Sequence, residues 1–309
     1  MHQVRDDEIN EFEGTEEDWR LIGLAAAASS EVYKEAPDIQ DGVTFKAKGN
    51  TKATVIYVEE LNGQRVLVVA VRGTVTKEDW MLNANGTPKK SSKLLEGSAT
   101  WHGGFLMVAE VMQKKTAKAV AEAATEDDQI DSILFTGHSA GGAIAQLFYA
   151  MKLLSAPAYA DSSIGFQKVH CITFGAPPLA SVHIPHGQPP LHKPGAFLSF
   201  INEGDPVPLA QEEYIKALID VYVLSNDDLK KRYSQGYHVP PPRLRVSGTC
   251  VVLRDVDPHD AEQMALQACI TNSEVVEKKL FGNPYVHPMK VYLERVKELG
   301  VVANATIDG

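Results

Sequence analysis

Apolar residues along the chain recur at two spacings, and the switches between them mark its elements. Ile133-Leu134-Phe135 is a short apolar run that ends at Thr136. Beyond it, Ala143, Ile144, Leu147, Phe148, Met151 and Leu154 recur at three- and four-residue steps, which predicts a strand followed at once by a helix. Thr15-x-x-Asp18 reads as a capping box that opens a helix through Trp19 and Ile22 to about Tyr33. Thr54–Glu59 alternates and Arg65–Val71 is nearly all apolar; Asn62-Gly63 between them predicts a hairpin. The unbroken apolar run suits a strand covered on both faces. Phe105 to Ala124 reads as a helix with Phe105, Val108, Met112, Ala119 and Ala123 on one face. Strands are expected at Lys168–Phe174, Ala196–Ile201 and Ser247–Arg254, and mostly helix at Gln211–Arg232. Two short helices are expected before about Phe281, and a last helix runs from Pro288, with proline in its first turn, to about Leu299. Pro37 to Gly49, Thr76 to Trp101 and Ser181 to Gly195 read as connections. Strands alternating with helices imply an α/β fold with a mainly parallel central sheet flanked by helices. No repeat or linker interrupts the chain, so residues 1–309 are expected to form a single domain.

Composition narrows the classes of partner. The chain carries a net charge of −10 and no basic run, which argues against nucleic acid and against electrostatic attachment to anionic membranes. No apolar run is long enough to span a bilayer. The N-terminal segment is acidic, unlike a secretory signal. Three cysteines, Cys171, Cys250 and Cys269, give no disulfide framework, and the first two lie in apolar strands as buried thiols do. A reducing, intracellular setting is favoured, a secreted mature form is the alternative, and the Asn85 and Asn304 sequons point that other way.

Chemistry concentrates where the strand ending at Thr136 meets the next helix. Gly137-x-Ser139-x-Gly141 at such a junction is a nucleophile-elbow pattern: a serine at the tip of a sharp turn, ahead of a helix whose N–H groups face developing negative charge. A serine needs a base, and the base needs an orienting acid. Acids are sought just after strands downstream of the serine. Asp205, between Gly204 and Pro206, fits best; Asp255 and Asp257 are alternatives, and Asp161 has no strand before it. Of the later histidines, His287 lies on a loop just before the last helix and is favoured over His259 and His238. His183, His186 and His192 lack the rigid spacing of a zinc site, and neither metal nor organic cofactor is expected.

With these residues assembled, the chain resembles the class 3 lipases, the fungal-lipase-like branch of the α/β-hydrolases. Val69-Ala-Val-Arg-Gly-Thr74, Asp79-Trp80, His102-Gly-Gly-Phe105, the elbow, Phe174-Gly-Ala-Pro177, Asn202-x-x-Asp205-Pro-Val-Pro208 and His287 with Tyr292 follow in the family's order. The resemblance implies an α/β-hydrolase fold and a serine carboxylic-ester hydrolase acting on esters such as acylglycerols. It implies a triad of Ser139, Asp205 and His287, and an oxyanion hole from the N–H groups of Thr74 and Ala140. It also implies a lid over about residues 77–100. Ala140 stands where leucine is usual and Val71 where phenylalanine is usual, and the secreted members' disulfides cannot be fully reproduced. The expected partner is a small-molecule or lipid ester, with transient lipid contact through the lid and no obligate protein partner. Trp80-Met81-Leu82 and Leu94-Leu95 are the lid's only apolar clusters, so weak interfacial activation and short or medium acyl chains are expected. A catalytically silent lipase-like module, or a phospholipase or feruloyl-type esterase on the same scaffold, is the alternative.

Overall fold

The structure, a computed structural model, describes residues 3–39, 42–49, 51–74, 87–91, 94, 99–125, 130–154, 166–185, 193–234, 239–256 and 265–307. Its strands in chain order are β1 (Asn10–Glu11), β2 (Val43–Phe45), β3 (Thr54–Leu61), β4 (Gln64–Val71), β5 (Pro88–Lys90), β6 (Thr100–His102), β7 (Ser132–His138), β8 (Lys168–Phe174), β9 (Lys193–Asn202), β10 (Thr249–Val256) and β11 (Ala265–Thr271). Its helices are α1 (Glu16–Glu31), α2 (Gly103–Thr125), α3 (Ala140–Leu153), α4 (Glu212–Val223), α5 (Asn226–Arg232), α6 (Ser273–Val276) and α7 (Met289–Ile307). Among the described residues the main sheet has nine strands in the order β1-β11-β10-β9-β8-β7-β4-β3-β2. Its centre, β4-β7-β8-β9-β10, is parallel, and antiparallel strands flank it on both sides.

Both faces of that parallel centre are covered, as the unbroken apolar runs require. One core joins α2 and α3 to Leu67, Val69, Ile133, Phe135 and Cys171. On the other face α1 and α7 pack over Val68, Ala70, Leu134, Ile172 and Phe200. The two clusters divide alternate residues of β4 and β7, as a two-residue side-chain period dictates. Helix α3 is buried from Ala140 through Lys152, as an almost wholly apolar helix must be. Each fully buried Leu or Phe there contributes roughly 1.5–3 kcal/mol by leaving water.

The capping box of α1 is present: the Thr15 side chain accepts from the Asp18 N–H, and the Asp18 carboxylate accepts from the Thr15 N–H at 3.0 Å. Other expectations need correction. The segment before Phe281 holds β11, with α6 only a short turn after it. Ala265-Leu-Gln-Ala-Cys-Ile-Thr has residues that favour helices, but its backbone groups are satisfied by antiparallel pairing with β10 along the whole strand. The connection after Pro37 hides β2, which pairs with β3. The helix expected over 211–232 breaks at Leu224, and Ser225 caps a second helix by accepting from the Asp228 N–H at 3.2 Å. The last helix continues past Leu299 to Ile307. Most of the lid segment, including Trp80, Met81, Leu82 and Leu95, lies outside the described residues. Leu94 is buried in the core beside α2.

Candidate active site

Strand β7 ends at His138, and Ser139 turns the chain directly into α3. Ser139 adopts φ 56° and ψ −131°, a conformation that side chains rarely tolerate and that typically costs about 1–3 kcal/mol. The surroundings enforce it. The Ser139 N–H donates to the Phe174 carbonyl at 2.9 Å, which ties the turn to the end of β8. A Cβ on Gly141 would lie 2.1 Å from the Val71 carbonyl oxygen, so α3 can start this close to β4 only without a side chain there. The turn places Ser139 at the carboxyl end of the parallel strands, with the Ala140 N–H at the helix start just behind it.

Asp205 follows β9, the next strand but one from β7, and is fully buried. Three donors meet its carboxylate. Oδ1 accepts from the Val207 N–H at 2.9 Å. Oδ2 faces His287 Nδ1 at 2.8 Å and accepts the Tyr292 hydroxyl at 2.7 Å. Such satisfaction is what allows a carboxylate to remain in a site without water. A nitrogen facing a carboxylate carries the proton, so His287 Nδ1–H donates to Asp205, and Nε2 is left as the basic nitrogen. Gly175, at φ 56°, makes room for this pair: a Cβ there would lie 2.9 Å from Asp205 Oδ2 and 3.1 Å from His287 Nδ1.

His287 is linked to the elbow as well. The ring of His138, the residue before Ser139, lies 4.6 Å from the His287 ring. His138 Nε2 is 2.8 Å from the His287 carbonyl oxygen, and its Nδ1 is 3.0 Å from the Tyr33 hydroxyl. A carbonyl only accepts, so Nε2 carries the hydrogen and Nδ1 accepts from Tyr33. Burial, with His287 close by, holds His138 well below the ordinary histidine range, so this tautomer is neutral. Burial also pushes the Tyr33 hydroxyl up, keeping it protonated as a donor. No spacing in the sequence joins residue 33 to residue 138, and only the packing of α1 against β7 brings them together.

Thr74 follows β4, beside the elbow, and its Oγ1 accepts from Lys52 Nζ at 3.1 Å. Lys52 carried no signal in the sequence. Asp255, the alternative acid, pairs instead with Arg295 at 2.6 Å. Asp161, Asp257, His238 and His259 lie outside the described residues, as do His186 and His192; His183 is exposed. The three cysteines are unpaired and buried, and burial pushes the Cys250 thiol up to about 12.

Sheet order, elbow and helical layers together define an α/β-hydrolase fold. Residues 68–214 match the family described as lipase (class 3). A secreted mono- and diacylglycerol lipase of Fusarium solani is 35% identical over 112 residues, which cover 35% of this chain and 33% of that protein. The chain thus matches about a third of that relative's length. Among solved structures, one titled for a serine protease triad forming the catalytic centre of a triacylglycerol lipase superposes with a TM-score of 0.58, at 16% identity over 90% of this chain and 95% of that one. A lipase from Rhizopus microsporus var. chinensis gives 0.56, at 18% identity over 93% of each chain. At these identities the structural likeness speaks for the fold.

Proposed function

We propose that the protein is a serine carboxylic-ester hydrolase that cleaves acylglycerol-type esters through an acyl-enzyme. The reading rests above all on one observation, the buried Asp205 carboxylate 2.8 Å from His287 Nδ1 on the same side of the sheet as the strained Ser139 turn. His287 Nε2 takes the proton of Ser139 Oγ as that oxygen attacks the ester carbonyl carbon. Asp205 holds the ring orientation and balances the imidazolium charge. The carbonyl oxygen, now an oxyanion, is bound by the N–H groups of Thr74 and Ala140. Loss of one such donor typically lowers turnover by about 10²–10³. His287 then gives its proton to the departing alkoxide. Water, deprotonated by the same nitrogen, attacks the acyl-enzyme, releases the carboxylic acid and restores Ser139.

The name of the Fusarium solani relative supports mono- and diacylglycerols as the substrate class. Residues 1–309 act as one catalytic unit with a lid at about 77–100. Its scattered apolar residues give a rate increase of less than about tenfold above the substrate's micellar threshold. Hydrolysis of p-nitrophenyl esters of rising chain length tests the reading. Activity is expected on short and medium chains, with losses of about 10⁴ or more in Ser139→Ala and His287→Ala. A folded protein inert on every ester, the behaviour of a silent module, would overturn it.

A further inference from the structure

The charge pattern of the sequence argues against attachment to anions, yet the fold gathers lysines that the sequence scatters. A cavity of about 290 Å³ opens between β2 and α2. Lys46, Lys48, Lys52 and Lys115 line it, and no aspartate or glutamate does. Among the described residues Lys46, Lys48 and Lys115 form no ion pair. The Lys115 ammonium instead sits 4.0 Å from the centroid of the Phe45 ring. Even in a chain of net charge −10, the three lysines Lys46, Lys48 and Lys115 around one opening repel each other, and an anion placed among them relieves that repulsion.

Besides Thr51 and Thr116, the rest of the lining is apolar. Phe45, Val111 and Met112 contribute to it; Val111 is 59% exposed, and Met107, one turn earlier on the same helix face, is 44% exposed. Free inorganic anions gain nothing from Phe45, Val111 and Met112. A charged group attached to a hydrocarbon chain uses both parts. The cavity also touches the candidate active site: Lys52 lines it and donates to Thr74 Oγ1 at 3.1 Å.

We propose that this lysine cavity receives the phosphate head group of a lipid and docks the protein on an anionic lipid surface with Thr74 facing that surface. The choice of a lipid rests on the ester-hydrolase reading above, while the anion site rests on the lysines alone. No bond is made or broken here; the phosphate oxygens accept hydrogen bonds from the ammonium groups. Lys52 has two roles in this account, since the ammonium that meets the head group also engages the Thr74 hydroxyl.

The test is sedimentation of the full chain with vesicles, using phosphatidylcholine alone and phosphatidylcholine mixed with phosphatidylglycerol. The protein is expected to bind the mixed vesicles at least about 100-fold more tightly. Combining Lys46→Ala, Lys48→Ala and Lys115→Ala removes about fivefold per lysine, or about 100-fold in all. Lys230→Ala with Lys231→Ala, exposed on α5, serves as the control and leaves binding unchanged. Equal binding to both vesicle types, or equal loss in both variants, overturns the proposal. Displacement by millimolar inorganic phosphate at fixed ionic strength would assign the cavity to free phosphate and also overturn it, as would equally tight binding of polyglutamate. Hydrolysis of uncharged p-nitrophenyl butyrate separates the two readings. It is unchanged in the triple variant if that variant is folded. Its absence in the wild type condemns the hydrolase reading and leaves the vesicle result standing.

Discussion

The Tyr292 hydroxyl donates to Asp205 Oδ2 at 2.7 Å, the same oxygen that faces His287 Nδ1 at 2.8 Å. Tyr292 is wholly buried in α7, and its oxygen in turn accepts the Asn202 N–H at 2.9 Å. One phenol therefore fixes both the acid and the strand end that carries it. Burial beside the Asp205 carboxylate pushes the Tyr292 hydroxyl well above its ordinary range, so it stays a donor. Tyr292→Phe leaves the carboxylate with one donor fewer and the Asn202 N–H without this acceptor. The expected loss is roughly 1–3 kcal/mol in urea unfolding. A several-fold fall in kcat with little change in KM should accompany it. Unaltered stability would show that water replaces the phenol.

Tyr33, His138 and the His287 carbonyl form a second line of support, running from the turn after α1 through the elbow to the loop before α7. Tyr33→Phe removes the donor to His138 Nδ1 and leaves that nitrogen buried without a partner. A loss of about 1–3 kcal/mol is expected. The fall in turnover should be modest, because His138 Nε2–H still holds the His287 carbonyl. His138→Phe loses that hold too, and its kcat should fall further than that of Tyr33→Phe at similar stability. Equal kcat in the two variants would contradict the positioning role.

Much of this was readable along the chain, and the boundary has physical causes. The elbow was legible because a strand, a glycine-flanked serine and a helix lie within a few consecutive residues. Asp205 and His287 stood out because each follows an element end and carries chemistry suited to it. Tyr33, His138 and Lys52 act through contacts made only when distant elements pack, so no local spacing announces them. Strand β11 was hidden because its residues suit a helix in isolation and become a strand through pairing with β10. The lysine cavity was hidden because charge summed over a chain says nothing of where the fold places each sign.

Acid stability follows from His170. Its Nδ1 accepts the Ala196 N–H at 2.9 Å, and burial lowers it from 6.5 to about 4. Between those values the unfolded histidine binds a proton that the folded one refuses. Stability therefore falls as pH drops through that window and is not lowered further by this group below about 4. The full effect is about 3 kcal/mol. His138, also lowered by burial, acts in the same direction. His170→Gln keeps an acceptor for Ala196 and does not titrate. Urea midpoints of wild type and variant should diverge with pH across the window, the wild type losing more on acidification. Parallel curves would contradict the assignment.

The central claim is that Ser139 is a nucleophile activated by His287 and Asp205. Fluorophosphonate labelling followed by intact-mass and peptide analysis tests it most directly. The account predicts a single adduct on Ser139, absent in Ser139→Ala and formed orders of magnitude more slowly in His287→Ala. A folded wild type that hydrolyses esters without acquiring the adduct, or an adduct on another residue that persists in Ser139→Ala, would contradict it.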